Sequence, residues 1–409
     1  MIVLYDDARA RTFEPFATTR PFGEVRAGAL LGRERWNMCL GAVAGAFCSA
    51  PHLAHFAEFD APHAASLPLP AGAWLVNTRA LPIPQRLTTS GLDAVRINGT
   101  VAAVRLRDAL HNAGVHDGTL SLASCLPADA VIVDVDGVWV DDLWDILRHL
   151  TSQLAQDIPI LAAHLGATRA VFGGSIAGAV KIGAHDVWLE SGAILEPLAV
   201  CDTSAGPILV RRGSTVQAFT RLIGPLFVGC DSTVTADRIA ASSIGDMCRV
   251  HGELSTSVFV GHANKGHDGF VGHSLVGRWV NMGAGTITSN LKNTYGTVAM
   301  WSPSGVRDTG LQFAGTFFGD HVKTGIGLRL TTGCVLGAGA NVMDAMPPKC
   351  VPPFSWGSRA PYAPFEREKF VDIAARMMAR RQVMLDEKGR VYLDDVMTHA
   401  LSTSTWPSR

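Results

Sequence analysis

Residues 264–293, NKGHDGFVGHSLVGRWVNMGAGTITSNLKN, gather the side chains of this chain best suited to chemistry. His267 stands in a short turn between Gly266 and Gly269, beside Asp268. An imidazole has a reference pKa of about 6.5 and can take a proton near neutral pH. Asn281, Thr286, Ser289, Asn290 and Lys292 follow as a run of polar contacts. The glycines around Ala284 leave backbone N–H groups open to a developing oxyanion. The plainer reading makes His267 a turn residue capping a corner, but the NKGHDG context and the polar cluster downstream favour proton transfer. His251, His262, His273 and His321 lack such a context and read as structural or surface groups. Asp268 is a weak candidate for orienting the imidazole, because neighbours on extended chain face opposite ways.

What must position these groups is visible in the spacing. Apolar residues recur every sixth position at Ile182, Trp188, Ile194 and Val200. The same step links Val210, Val216, Leu222, Val228 and Val234, then Ile244 and Val250. It returns at Phe270, Val276 and Met282, and at Phe318, Thr324, Leu330, Leu336 and Val342. A period of six suits neither an α-helix nor an isolated strand. It suits a chain that turns a corner after each short strand and sends one apolar residue inward per side, a β-helix. The loss of phase between Thr288 and Phe318 predicts a loop projecting from it.

The first part reads differently. Residues 1–5 (MIVLY) form a short apolar run that stops at Asp6-Asp7, as expected of the first buried strand of an α/β domain. An arginine-rich loop follows, in which Arg9, Arg11 and Arg20 could hold phosphate at a strand edge; a solvated loop is the alternative. Further strands are expected at 73–77 and 130–134, with a hairpin over 95–104 turning at Asn98-Gly99. Asp134-Val-Asp-Gly reads as a strand-to-turn transition before it reads as a Mg²⁺ site. A helix is expected from about Asp141, with Leu143, Leu147, Leu150 and Leu154 on one face. Pro347, Pro348, Pro352 and Pro353 stop the β-helix. A terminal helix over about 365–386 would cover its end, and the tail after Asp395 reads as loosely held. The expected division is 1–158, 168–346 and 347–409.

Composition narrows the function classes. Hydrophobic residues make up 47% and charged residues 17% of the 409, and the net charge is −1. No basic surface invites nucleic acid or an anionic membrane. No secretory signal or membrane-spanning run is evident, so the expected compartment is the cytoplasm. The eight cysteines form no CxxC pair or zinc-like group, and buried free thiols are expected, with no metal ligands.

These motifs carry a resemblance. YDD with TRPFGEVRAG, LWDIL, NKGHDGFVGHSLVGRWVNMGAGT and SNLKNTYG together resemble the bifunctional family of N-acetylglucosamine-1-phosphate uridyltransferase/glucosamine-1-phosphate acetyltransferase (GlmU). The nearer likeness is to a divergent branch with a sugar nucleotidyltransferase-like N-terminal domain. The resemblance implies a left-handed parallel β-helix of hexapeptide repeats in the second half, an acetyl-CoA-dependent acyltransferase and a homotrimer. It places His267 on the family's catalytic base, Asn281 on a contact to the amino sugar and Asn290 on a polar contact near the acetyl group. Phe270 and Leu291 stand where the better-known branch has tyrosines, Phe270 at a contact to sugar phosphate. Lys265 and Lys292 are then the nearby cations for that phosphate. The glycine-rich phosphate loop of sugar nucleotidyltransferases is replaced by DDARARTFEP, and Asn77-Thr78-Arg79 stands where a Mg²⁺-holding aspartate is expected.

The implied reaction is N-acetylation of an amino-sugar phosphate of the glucosamine-1-phosphate type, serving nucleotide-sugar synthesis. Nucleotidylyl transfer from UTP or dTTP with Mg²⁺ is an additional activity of the first half. Two alternatives remain open at this level: a sugar-1-phosphate nucleotidylyltransferase whose β-helix only trimerises it, and a non-catalytic sugar-nucleotide-binding regulator.

Overall fold

The apolar run at the N-terminus becomes the centre of a seven-stranded sheet. The computed structural model describes residues 1–409 apart from 174, 175, 177, 404, 408 and 409. Strand β1 (Ile2–Tyr5) pairs in parallel with β2 (Ala44–Cys48) on one side. Beyond β2 lies β3 (His63–Ala64), and on the other side of β1 lies β4 (Trp74–Asn77), also parallel. The hairpin β5 (Ala94–Ile97) and β6 (Thr100–Arg105) and then β7 (Ile132–Asp134) complete the order β7-β5-β6-β4-β1-β2-β3. Asn98 and Gly99 both take positive φ, 50° and 78°, as a two-residue hairpin requires. Asp134 is engaged by Arg96 at 2.7 Å, so the Asp-Gly motif turns a strand. The chain departs from β1 to β2 in one direction and to β4 in the other, which opens a crevice at the carboxyl ends of β1 and β4.

From residue 180 onward the strands are two to eight residues long and pair in parallel with the next coil. One inward column runs Val210, Val228, Ile244, Phe259, Val276, Phe318, Leu336 and Val351, in register and fully buried. Successive members are 15–18 residues apart, except across 276–318. There the longer coil projects an antiparallel hairpin, Ala299–Ser302 with Gly305–Asp308. Another inward column runs Cys201, Leu222, Ile239, Leu254 and Val271. Phe270 therefore lies outward and Val271 inward, a correction to the spacing. The first coil also departs: Ile182 and Ile194 are exposed, while Val187, Leu195 and Cys201 turn in. A six-residue period cannot register a corner that is one residue longer or shorter.

The outward side of the first column is itself apolar: Leu209, Phe227, Val258, Leu275, Phe317 and Val335 are all buried. Helix α1 (Asp145–Leu165) covers it with Leu147, Leu150, Leu154, Ile158 and Leu161, the helical face expected from the leucine spacing. Each such side chain withdrawn from water contributes about 1.5–3 kcal/mol. The helix thus fastens the two halves together, and this face of the β-helix is closed to any other partner. Two terminal helices follow, α2 (Arg367–Ala379) and α3 (Glu387–Ser402). The second corrects the expectation of a loose tail: Val396, Met397 and Ala400 are buried. All eight cysteines are free. No described helix is long and apolar enough to cross a membrane.

Candidate active site

Lys265 is the odd member of the second inward column, where it follows Val216, Val234 and Val250 in register. Only 2% of it is exposed, and its Nζ donates to the carbonyls of His251, at 3.0 Å, and of His267. Burial lowers its pKa to about 8, with Asp268 and Asp237 acting weakly in the other direction. This ammonium braces the corner on which His267 stands and is not presented to a substrate phosphate.

His267 itself is exposed, and its ring makes no hydrogen bond among the described residues. Asp268 turns away from it and pairs with His251 at 3.2 Å. The next coil lies close: the Gly285 amide donates to the Asp268 carbonyl at 3.0 Å. Gly269, at φ 125°, leaves no room for a side chain, since a Cβ would stand 2.3 Å from the Thr286 carbonyl oxygen. The Ala284 amide, between Gly283 and Gly285, donates to no group among the described residues.

On the side preceding this corner, Asn264, Asn281 and Lys323 stack through single bridges. The Asn264 side-chain amide donates to Asn281 Oδ1 at 2.8 Å, which leaves the Asn281 amide N–H groups directed elsewhere. On the side after the corner, Asn290 Nδ2 lies 2.9 Å from His273 Nδ1. Burial lowers the His273 pKa to about 4, so its neutral ring accepts that hydrogen bond. Phe270 lies over Gly272 beside Asn290. His267 thus sits at the corner between two polar sides, with Asn281 on one and Asn290 with Phe270 on the other. Lys292 is half-buried in the projecting loop, and its ammonium has no hydrogen-bond partner among the described residues.

The crevice of the N-terminal sheet is a cavity of about 550 Å³ lined by Asp7, Asn77, Arg79, Asn98, Trp139 and Asp141, among others. Arg79 binds Asp7 at 2.9 Å and Asp141 at 2.9 Å, and lies over the Trp139 ring. Burial would raise the Asp7 pKa, but Arg79, then Asn77 and the Ala10 amide, outweigh it and hold the group below the usual value. The loop after β1 spends its own amides: Ala8 donates to the Gly118 carbonyl at 2.8 Å and Ala10 to Asp7 Oδ1 at 2.9 Å. A glycine-rich phosphate loop would leave such amides open. The acids here face an arginine, and no cluster of three metal-ligating side chains occurs among the described residues. These residues do not fit Mg²⁺.

The three arginines expected to meet a nucleotide are fasteners instead. Arg9 donates to the Asp141 carbonyl and pairs with Asp142 at 2.5 Å. Arg11 donates to the carbonyls of Asp6, His116 and Val115 at 2.6–3.0 Å. Arg20, 1% exposed, is held by Asp320 at 2.8 Å and Glu58 at 3.0 Å. Each guanidinium is already committed to two or three protein acceptors, for which a phosphate would have to compete. Sequence reading missed this because nothing local marks Asp320, three hundred residues away, as the partner. It also missed Asn264, which lay inside the polar stretch.

A sheet domain with a crevice at its switch point, then a parallel β-helix with a polar, histidine-bearing corner, defines a two-part architecture, an α/β domain joined to a β-helix. Comparison with known proteins gives that description particular relatives. Residues 2–164 match the family model described as sugar nucleotidyl transferase. The chain is similar to the bifunctional protein GlmU of Desulfitobacterium hafniense, 25% identical over 198 residues, which cover 42% of this chain and 40% of that protein. It is also similar to the bifunctional sugar-1-phosphate nucleotidylyltransferase/acetyltransferase of Sulfurisphaera tokodaii, 32% identical over 90 residues and 22% of each chain. The chain thus spans well under half the length of the curated relatives it matches. A solved Bacillus cereus chain, named for a presumed acetyltransferase, is 13% identical and covers 56% of this chain and 100% of its own, at a TM-score of 0.25, too low to argue from. The sequence likenesses fit a divergent GlmU-like family.

Proposed function

We propose that the β-helix half transfers an acetyl group from acetyl-CoA to the amine of an amino-sugar phosphate of the glucosamine-1-phosphate type. The observation that carries this reading is His267, exposed and without a hydrogen bond to its ring among the described residues, at a corner that Lys265 fixes from within. The neutral amine of the acceptor attacks the thioester carbon, and its proton passes to the imidazole. The carbonyl oxygen becomes anionic, and the Ala284 N–H is a donor suited to it. The C–S bond then breaks, and the thiolate of CoA takes up a proton, which the histidine can return. Asn281 contacts the amino sugar, and Asn290 lies near the acetyl group. Asn281→Ala is expected to raise KM for the acceptor while changing kcat little, because such a contact serves ground and transition states alike. Steady-state kinetics on glucosamine 1-phosphate checks it.

A second copy of the chain would close this site, in a threefold assembly. Leu198, Phe219, Ile326 and Met346 are 54%, 77%, 80% and 54% exposed, and all lie at the turns that follow the Asn264 side, the edge that bears His267. Burying them supplies a driving force for association. Light scattering at micromolar concentration is expected to give the mass of a trimer, and a stable monomer would end this part of the proposal.

The N-terminal crevice suits a neutral polar ligand of sugar-nucleotide size and not pyrophosphate chemistry, since its one arginine is spent on Asp7 and Asp141. Incubation with UTP or dTTP, Mg²⁺ and a sugar 1-phosphate is expected to release no pyrophosphate above background. Robust release would restore nucleotidylyl transfer to this half.

A further inference from the structure

A shallow groove beside the Asn264–Asn281 bridge is lined by His262 and Trp279 on the β-helix and by Arg380 and Arg381 just beyond α2. We propose that these two arginines, with Asn264 and Asn281, form a subsite for a phosphoryl group on the acyl acceptor; the assignment of that group to the acceptor rests on the acetyl-transfer reading above.

The groove is short of an anion. Arg381 Nε is buried and donates to nothing, and neither arginine side chain makes a hydrogen bond or ion pair among the described residues. Burial, then the like charges of Arg249 and Arg380, works against the Arg381 cation. Arg249 spends one nitrogen on the carbonyls of Asp231 and Cys248, and it too meets no carboxylate. The end of α2 tolerates cations through its dipole but cannot neutralise three of them. Elsewhere this chain pairs several buried arginines with acids, as Arg20 with Asp320 and Arg35 with Asp157, while Arg26 donates only to the Ala29 carbonyl. A partly buried cation without a partner is costly, and a phosphomonoester is the anion whose oxygens match the planar guanidinium fork.

Size and position select the source. The groove is about 30 Å³, room for about two water molecules, enough for the oxygens of one anionic group and too little for a ring. Asn264 precedes His267 by three residues, at most about 10 Å of extended chain. The phosphate and the amine of glucosamine 1-phosphate sit on adjacent ring carbons, so the arginine and histidine side chains must reach across the rest of that interval. The phosphates of CoA lie beyond the whole pantetheine arm from the thioester that must meet His267. Asn281, whose oxygen is taken by Asn264, keeps amide N–H groups for the ligand. The subsite replaces Lys265, which faces inward, as the cation source.

Calorimetric titration of inorganic phosphate and of glucosamine 1-phosphate into the full chain tests this directly. Arg380→Ala/Arg381→Ala is expected to weaken both by roughly 10–100-fold, the worth of charge-assisted hydrogen bonds, and to leave acetyl-CoA binding unchanged. The arginine side chains bond nothing among the described residues, so circular dichroism should match the wild type. Asn264→Asp keeps both arginines but sets a competing carboxylate beside them, and should weaken phosphate binding as well. Unchanged phosphate affinity in both variants overturns the subsite, as does a loss confined to acetyl-CoA. The heat of binding is read without turnover. A wild type that binds phosphate through these arginines yet acetylates no amino sugar therefore upholds the phosphate site and overturns the reaction.

Discussion

His267→Ala is expected to lower kcat for acetyl transfer roughly 10²–10⁴-fold, the usual contribution of a positioned general base. Acetyl-CoA binding should stay within about twofold, because the imidazole acts on the amine and touches no part of the nucleotide. The fold should also survive. His267 is exposed and its ring bonds nothing, while the turn is held by its carbonyl, which alanine retains as the acceptor for Lys265. Stopped turnover with intact structure and intact cofactor binding is therefore the expected signature. Lys265→Met provides a contrast, since it removes the brace and not the base. It should impair both acceptor KM and kcat as the turn loosens. If His267→Ala keeps near-normal turnover on glucosamine 1-phosphate, the histidine is a corner residue and the β-helix a scaffold for the N-terminal half.

The β-helix was legible because its inward positions are set by a strict local repeat. Val210 to Val234 and Phe318 to Val342 fall on the buried columns as the spacing requires, Thr324 included. The repeat misled along the whole first series, Ile182, Trp188, Ile194 and Val200, and at Phe270, where a corner changes length. His267 and the polar sides around it were legible for a related reason: residues 264–290 lie on two successive coils, so closeness in sequence becomes closeness in space. What failed to show was whatever depends on distant partners. Lys265 looked like a free cation because the carbonyls that bind it have no sequence signature. Arg380 and Arg381 gave only a faint signal, two adjacent arginines with no acid three or four residues away in the sequence. Arg20 looked like a phosphate ligand because it lies in a motif near a strand edge, where arginines often serve that purpose.

The Arg20 network carries the second large effect. Asp320 is 1% exposed; its Oδ2 accepts from Arg20 Nε at 2.8 Å and from Thr19 Oγ1 at 2.7 Å, and its Oδ1 from the Arg278 amide at 2.7 Å. Glu58, in turn, pairs with Arg20 and with Arg278 at 3.2 Å and accepts from Trp279 Nε1 at 3.3 Å. The cluster ties the TTRP segment of the N-terminal half to the β-helix at successive coils. Asp320→Ala leaves the Arg20 guanidinium buried with Glu58 alone and strips a backbone amide of its acceptor. Breaking one partner of such a pair is expected to cost about 3–5 kcal/mol in urea unfolding. Asp320→Asn, which keeps the shape and the amide contact but not the charge, should cost less. Arg20→Met/Asp320→Leu should be milder than the sum of its two single changes, because no uncompensated ion remains. If Arg20 met a nucleotide instead, Arg20→Met would change ligand affinity and leave the unfolding midpoint where it was. A drop in stability shared by Arg20→Met and Asp320→Ala, with strong coupling between them, places this arginine in the seam between the two halves.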